Sequence, residues 1–228
     1  MGAIQSEADA RSILGADVLG PEEVATAFGT PAKLLGDLPI PYSRQELQVA
    51  MSHGEMLVLR LDRAAADSSL TIQDLIRRYP QAFDARFLRK MGYQLKDEWG
   101  IELEPSAAVD TCTTGWALVR KAPIDSSCNL SYDEQEPRLR SYAEELGVAA
   151  TAVRRRTAVE IAYDTVLYFA ARNIRLLEKA WDWSSTRTID GGYLNVGGFH
   201  PNGLQILSYS RAVRHGALGT CPTRQAAR

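Results

Sequence analysis

The stretch WDWSSTRTIDGGYLNVGGFHPNGLQILSYS, residues 181–210, decides how this chain is read. Tyr193 to Val196 alternates as a strand does, with successive side chains on opposite faces. Gly197-Gly198 then interrupts it. These glycines read as a bend between strands, because no helix follows to aim its N-terminus at a phosphate. Pro201-Asn202-Gly203 is a strong turn signal. Leu204, Ile206 and Ser208 form the next alternating strand, residues 209–217 are polar and loop-like, and Leu218 to Cys221 reads as a last short strand. A small antiparallel meander closes the chain.

Working back, the texture becomes helical. Val159, Tyr163, Val166, Ala170, Ile174 and Leu177 recur at spacings of three and four, which predicts a helix from Thr157 to about Ala180. Ile161, Leu167 and Phe169 lie off that stripe, so the helix is expected to be buried on more than one side. Arg154, Arg155 and Arg156 precede it and read as solvated or facing an anionic surface. Arg138 to Leu146 reads as a helix stopped by Gly147. Trp116 to Val119 and Met56 to Leu61 are strand candidates. Thr71 and Asp74, and Ser43 and Glu46, have capping-box spacing before two short helices. Phe83, Phe87, Leu88 and Met91 suggest a further short helix ending at Gly92. Residues 1–42, broken by Pro21, Pro31, Pro39 and Pro41, read as an irregular lead-in with a short helix after Gly20. Helices in the middle and a terminal meander make an α+β chain.

The totals are those of a globular protein: 228 residues, 45% hydrophobic and 24% charged. No run approaches the roughly 18 apolar residues of a membrane span. The N-terminus lacks a signal-peptide pattern, which points to a chain that is cytoplasmic or released without secretion. The net charge of −2 argues against nucleic acid as a partner. Cys112, Cys128 and Cys221 are too few and scattered for a disulfide framework or a four-ligand zinc site, so no cofactor or metal is expected. The end of the chain departs from the rest. Residues 184–228 hold five Arg, no Lys and one acid, Asp190, and none of the chain's 14 Glu, four Met or four Trp. Tyr, Arg and small polar residues dominate, a palette of adaptable binding surfaces that also suits glycine-rich strands and turns.

No HExxH, CxxC, GxSxG, P-loop or EF-hand spacing is present. Two groupings are the remaining candidates for catalysis. Cys112 with a histidine such as His53 has the types of a nucleophile–base pair. Glu160 and Asp164 stand one helical turn apart and can face a cleft or solvent.

The order WDWSSTR, DGGY, VGGF, GLQI and finally ALGTCPTR resembles the C-terminal end of C-type-lectin-fold domains. More narrowly it resembles the variable proteins of diversity-generating retroelements, as do LLEKAWDW (176–183) and TGWALVRK (114–121). The resemblance covers about residues 110–228. It implies a C-type lectin-like fold over residues 56–228, with two main helices, a small antiparallel sheet at the end and a variable region at 181–228. Residues 1–55 are left as an extension. It implies a non-enzymatic recognition protein of prokaryotic or phage origin. There a reverse transcriptase copies a template with errors at adenines and the copy replaces the 3′ end of the gene. An AAC codon randomised at its adenines cannot become Lys, Glu, Gln, Met or Trp, so Gln205 and Gln225 would be fixed. The ligand would be an unknown protein or other macromolecule, and an oligomer is compatible.

On this reading Trp183, Gly192, Val196, Gly197, Phe199, Gly203, Leu218, Gly219 and Arg224 form the frame. The expected ligand-contacting set is Asp182, Ser184, Tyr193, Asn195, His200, Asn202, Leu207, Tyr209, Arg211, Arg214 and His215. Calcium-dependent relatives use an acidic-proline-asparagine loop. Here His200 precedes Pro201-Asn202, so no calcium is expected. Formylglycine-generating relatives need two cysteines near this end, and only Cys221 lies there. The alternative is therefore a small enzyme of the same fold built on Cys112, His53 or Glu160–Asp164.

Overall fold

The computed structural model describes residues 6–35, 38–65, 68–84 and 100–224. Its helices, in chain order, are α1 (Glu7–Leu14), α2 (Pro21–Phe28), α3 (Ala32–Leu35), α4 (Arg44–Ser52), α5 (Ile72–Arg78), α6 (Pro105–Val109), α7 (Glu136–Glu145) and α8 (Ala158–Arg172). Its strands are β1 (Val18–Leu19), β2 (Glu55–Arg60), β3 (Arg63–Ala65), β4 (Ser68–Ser69), β5 (Gly115–Arg120), β6 (Val153–Arg154), β7 (Trp181–Arg187), β8 (Tyr193–His200), β9 (Gly203–Tyr209), β10 (Leu218–Gly219) and β11 (Thr223–Arg224). The architecture is α+β, as expected. The short helix expected over 83–92 falls mostly on residues 85–99, outside the described residues, as does Gln225.

A five-stranded sheet has the order β1-β2-β5-β11-β6, and a four-stranded sheet the order β10-β7-β8-β9. In the first, Leu57 and Leu118 pack with Ala10 and Leu14 of α1 and Leu47 and Ala50 of α4. Met56, Val58 and Val119 join the main core with Val159, Tyr163 and Val166 of α8. Leu194, Val196 and Ile206 of the four-stranded sheet enter that same core. So α8 lies between two sheets, and every residue from Ala158 to Tyr168 is buried. A helix with apolar residues all round needs such surroundings.

Local chemistry sets the helix ends. Ser43, Thr71 and Thr157 each accept the N–H three residues on, and Glu46, Asp74 and Glu160 answer to the cap N–H. The predicted extension of α8 to Ala180 is wrong. Asn173 takes the left-handed conformation (φ 54°) and its N–H bonds to the Phe169 carbonyl, stopping the helix at Arg172. Ile174 and Leu177 keep the helical spacing by coincidence, and Leu177 itself has φ 56°.

The lead-in is not irregular. Ser6 caps α1, and Val18–Leu19 pairs in parallel with Leu57–Val58. Residues before 55 therefore supply a strand and much of one core layer, and position 55 is no break in packing. The Tyr42 hydroxyl, from the same segment, accepts from the Leu118 N–H (3.3 Å) and donates to the Arg224 carbonyl (3.0 Å). Among the described residues no helix is long and apolar enough to cross a membrane.

Candidate functional site

The four-stranded sheet has two unlike faces. The inner face carries Leu194, Val196, Leu204 and Ile206 into the core. The outer face carries Trp183 and Tyr193, packed with Leu218, Trp181, Tyr209, Val213 and Tyr132. Tyr132, from the loop before α7, stacks on Tyr193 at 4.0 Å between ring centroids and meets Trp183 edge-on at 5.7 Å. Arg187 lies over the Tyr193 ring, 5.5 Å from its centroid. Trp181 is flanked edge-on by His200 (6.3 Å) and His215 (5.7 Å). Glycine makes this approach feasible. At Gly198, with φ +55°, a Cβ would lie 2.4 Å from the Trp181 ring. Pairing with β9 shifts register between Gly197 and His200, the bend that the glycine pair predicts.

The eleven expected contacts divide into three groups. Arg211, Arg214, His215 and Asn202 are exposed, with His200 and Tyr209 half-buried. Arg211 pairs with Asp133 and Arg214 with Glu134, tying the 209–217 segment to the loop that holds Tyr132. Tyr193, Asn195 and Leu207 lie in the sheet but are covered, at 7%, 0% and 7% exposure. Among the described residues neither amide atom of Asn195 has a hydrogen-bond partner. Asp182 and Ser184 are corrections: both are fully buried. Ser184 donates to the Leu194 carbonyl at 2.7 Å. Asp182 accepts from Arg156 Nη2 at 2.9 Å and from the Cys221 N–H at 2.8 Å. The phase of β7 is thus opposite to the expected one, with Trp183 outward and Asp182 inward. An arginine already inside the core fixes that choice. Tyr132 and Arg187 were missed: a lone tyrosine in a polar loop gives no signal of a distant strand.

Asp182 ends a buried chain of alternating charges. Arg156 bridges Asp182 and Asp164, Arg60 bridges Asp164 and Glu160, and Arg154 closes on Glu160. The expectation that Arg155 and Arg156 are solvated is therefore wrong. Arg155 donates to Gln135 Oε1 and the Tyr132 carbonyl, bracing the outer face from behind. Burial would raise the Glu160 pKa, but Arg60 and Arg154 together with the Thr157 N–H bring it down to about 2. Burial pushes Asp182 up to about 6 against the pull of Arg156. Burial also drives the Cys112 thiol upward. Glu160 and Asp164 thus hold arginines and are not a free carboxylate pair. His53 caps α4 with its ring 5.7 Å from that of Tyr142. Among the described residues no group of three or more His, Cys, Asp or Glu is placed to hold a metal ion.

Comparison with known proteins finds no matching family model, no matching curated relative and no matching solved structure.

Proposed function

We propose that this chain is a non-enzymatic recognition protein of C-type lectin-like fold, whose C-terminal surface is diversified by a retroelement to bind varied macromolecular ligands. The observation that carries the reading is the two-faced terminal sheet. Its inner side is locked to α8, while its outer side gathers aromatic rings, two histidines and arginines beside an exposed 209–217 segment. Aromatic residues and arginine dominate the energetics of interfaces, and a stiff sheet holds them in place without an ordering cost.

The contact set is then Trp181, Arg187, His200, Asn202, Tyr209, Arg211, Arg214 and His215. Asp182 and Ser184 belong to the frame, and Tyr193, Asn195 and Leu207 support the face from beneath. The residue alphabet of positions 184–228 agrees with randomised AAC codons, with Gln205 at a nearly buried strand position suited to a fixed residue.

The coding locus tests this directly. The expected finding is a nearby near-copy of the last codons, differing at adenines in the codons of Arg187, His200, Asn202, Tyr209, Arg211, Arg214 or His215, with Trp181 fixed and a reverse transcriptase gene beside it. A locus with neither feature defeats the proposal.

A further inference from the structure

A second candidate site lies on the five-stranded sheet. The Tyr42 hydroxyl bridges the Leu118 N–H and the Arg224 carbonyl of the paired strands β5 and β11. Residues of β5, β6 and β11 line a cavity of about 720 Å³, within the size range of small-molecule sites. Its lining is mixed. Leu38, Pro39, Pro41 and Trp116 are apolar, and the Trp116 indole N–H is fixed on the Leu38 carbonyl at 2.8 Å, which holds the ring. Arg60, Arg154 and Glu160 are charged.

The arginines of the lining differ in exposure. Arg60 is buried and committed to Asp164 and Glu160. Arg224, also in the lining, is committed to Glu55. Among the described residues Glu160 is the one carboxylate of the lining, and both of its oxygens already accept from Arg60, Arg154 and the Thr157 N–H. It has little left to offer a donor. Arg154 also donates to both oxygens of Glu160 and to the Arg155 carbonyl, but its side chain is 33% exposed, and the exposed Thr113 and Thr151 add hydroxyls. The cavity therefore presents one partly exposed guanidinium, already paired on one side, together with apolar residues and a fixed indole.

The geometry points to a binding site for a small organic acid, its carboxylate on Arg154 and its apolar body against Trp116 and Pro41. A guanidinium binds carboxylate more strongly than a neutral acceptor, and an aromatic or branched body gains from leaving water. A cation finds no open carboxylate here, and a neutral isostere loses the charged contact.

The test titrates the full chain by calorimetry with isovalerate, phenylacetate and indole-3-acetate, and with 2-phenylethanol and phenethylamine as neutral and cationic controls. At least one acid is expected to bind saturably, at least about tenfold more tightly than either control, a gap of roughly 1.4 kcal/mol. Arg154→Gln is expected to weaken that acid by a similar factor. Ala152→Trp, which fills the cavity without touching the ionic chain, is expected to abolish binding while leaving the melting curve cooperative. Three results overturn the assignment: no saturable acid binding up to the millimolar range, equal binding of alcohol or amine, or acid binding that survives Ala152→Trp.

Discussion

Arg156 and Arg211 each meet an aspartate, yet the two pairs sit at opposite ends of the dielectric range. Arg156 and Asp182 are both almost wholly shut off from water. Arg211 and Asp133 are both more than half exposed. Buried, an ion pair is costly to assemble and more costly to break, because the survivor keeps its charge without solvent. Exposed, the partner is readily replaced by water and salt. The first pair sets the phase of β7 and holds the frame; the second leaves its arginine available for another molecule.

The strongest way to break this contrast is Arg156→Ala. It strips Asp182 of its cation and removes one of the two from Asp164, and is expected to cost about 3–5 kcal/mol in urea unfolding. A loss below about 1 kcal/mol would mean that the buried chain is not what secures the sheet.

Acid titration sharpens the comparison. Glu160 sits at about 2 in the folded chain against 4.5 when free. The unfolded chain therefore holds that proton longer, so stability rises with pH between those values and is lost on acidification, by on the order of 3 kcal/mol. Asp182 runs the other way, at about 6 against 3.8. There the folded chain holds the proton longer, and stability falls as pH climbs through that window. Urea midpoints from pH 2 to 7 are expected to lose the acid-side rise in Glu160→Gln and the later fall in Asp182→Asn. Unchanged slopes in both variants would refute the assignment.

A smaller effect is expected from Tyr132→Ala, which removes the ring stacked on Tyr193. It is expected to cost about 1–3 kcal/mol, mostly lost burial and aromatic contact, with far-ultraviolet dichroism unchanged. The least effect on folding is expected from Arg211→Ala and Arg214→Ala, whose melting temperatures should match that of the parent at moderate salt. A clear drop in either would move these arginines from the binding surface into the frame.

Much of the local structure was legible. Ser43 with Glu46 and Thr71 with Asp74 mark helix starts because the capping bonds join residues three apart. The turn at Pro201–Gly203 and the strands on either side follow from alternation and from Gly203, whose φ is +118° and where a Cβ would lie 2.3 Å from the Phe83 backbone. The candidate site was legible only in part. His200, Asn202, Tyr209, Arg211, Arg214 and His215 reach the surface because they lie at the margins of the meander, where a covering element is least needed. Within the strands the reading fails at Asp182 and Ser184, because alternation around Trp183 gives the two faces of β7 without saying which one turns outward.

By itself, then, the sequence determined the elements whose causes lie within a few residues: the capped helices, the glycine bend and the hairpin turn. Only the tertiary structure decided which side of β7 faces inward. Alternation supplies two faces of equal standing, and the choice rests on Arg156, 26 residues before Asp182, being buried already against the Asp164 carboxylate of α8. A charge prefers the interior only when its partner is there first, and that partner is set by the packing of distant segments.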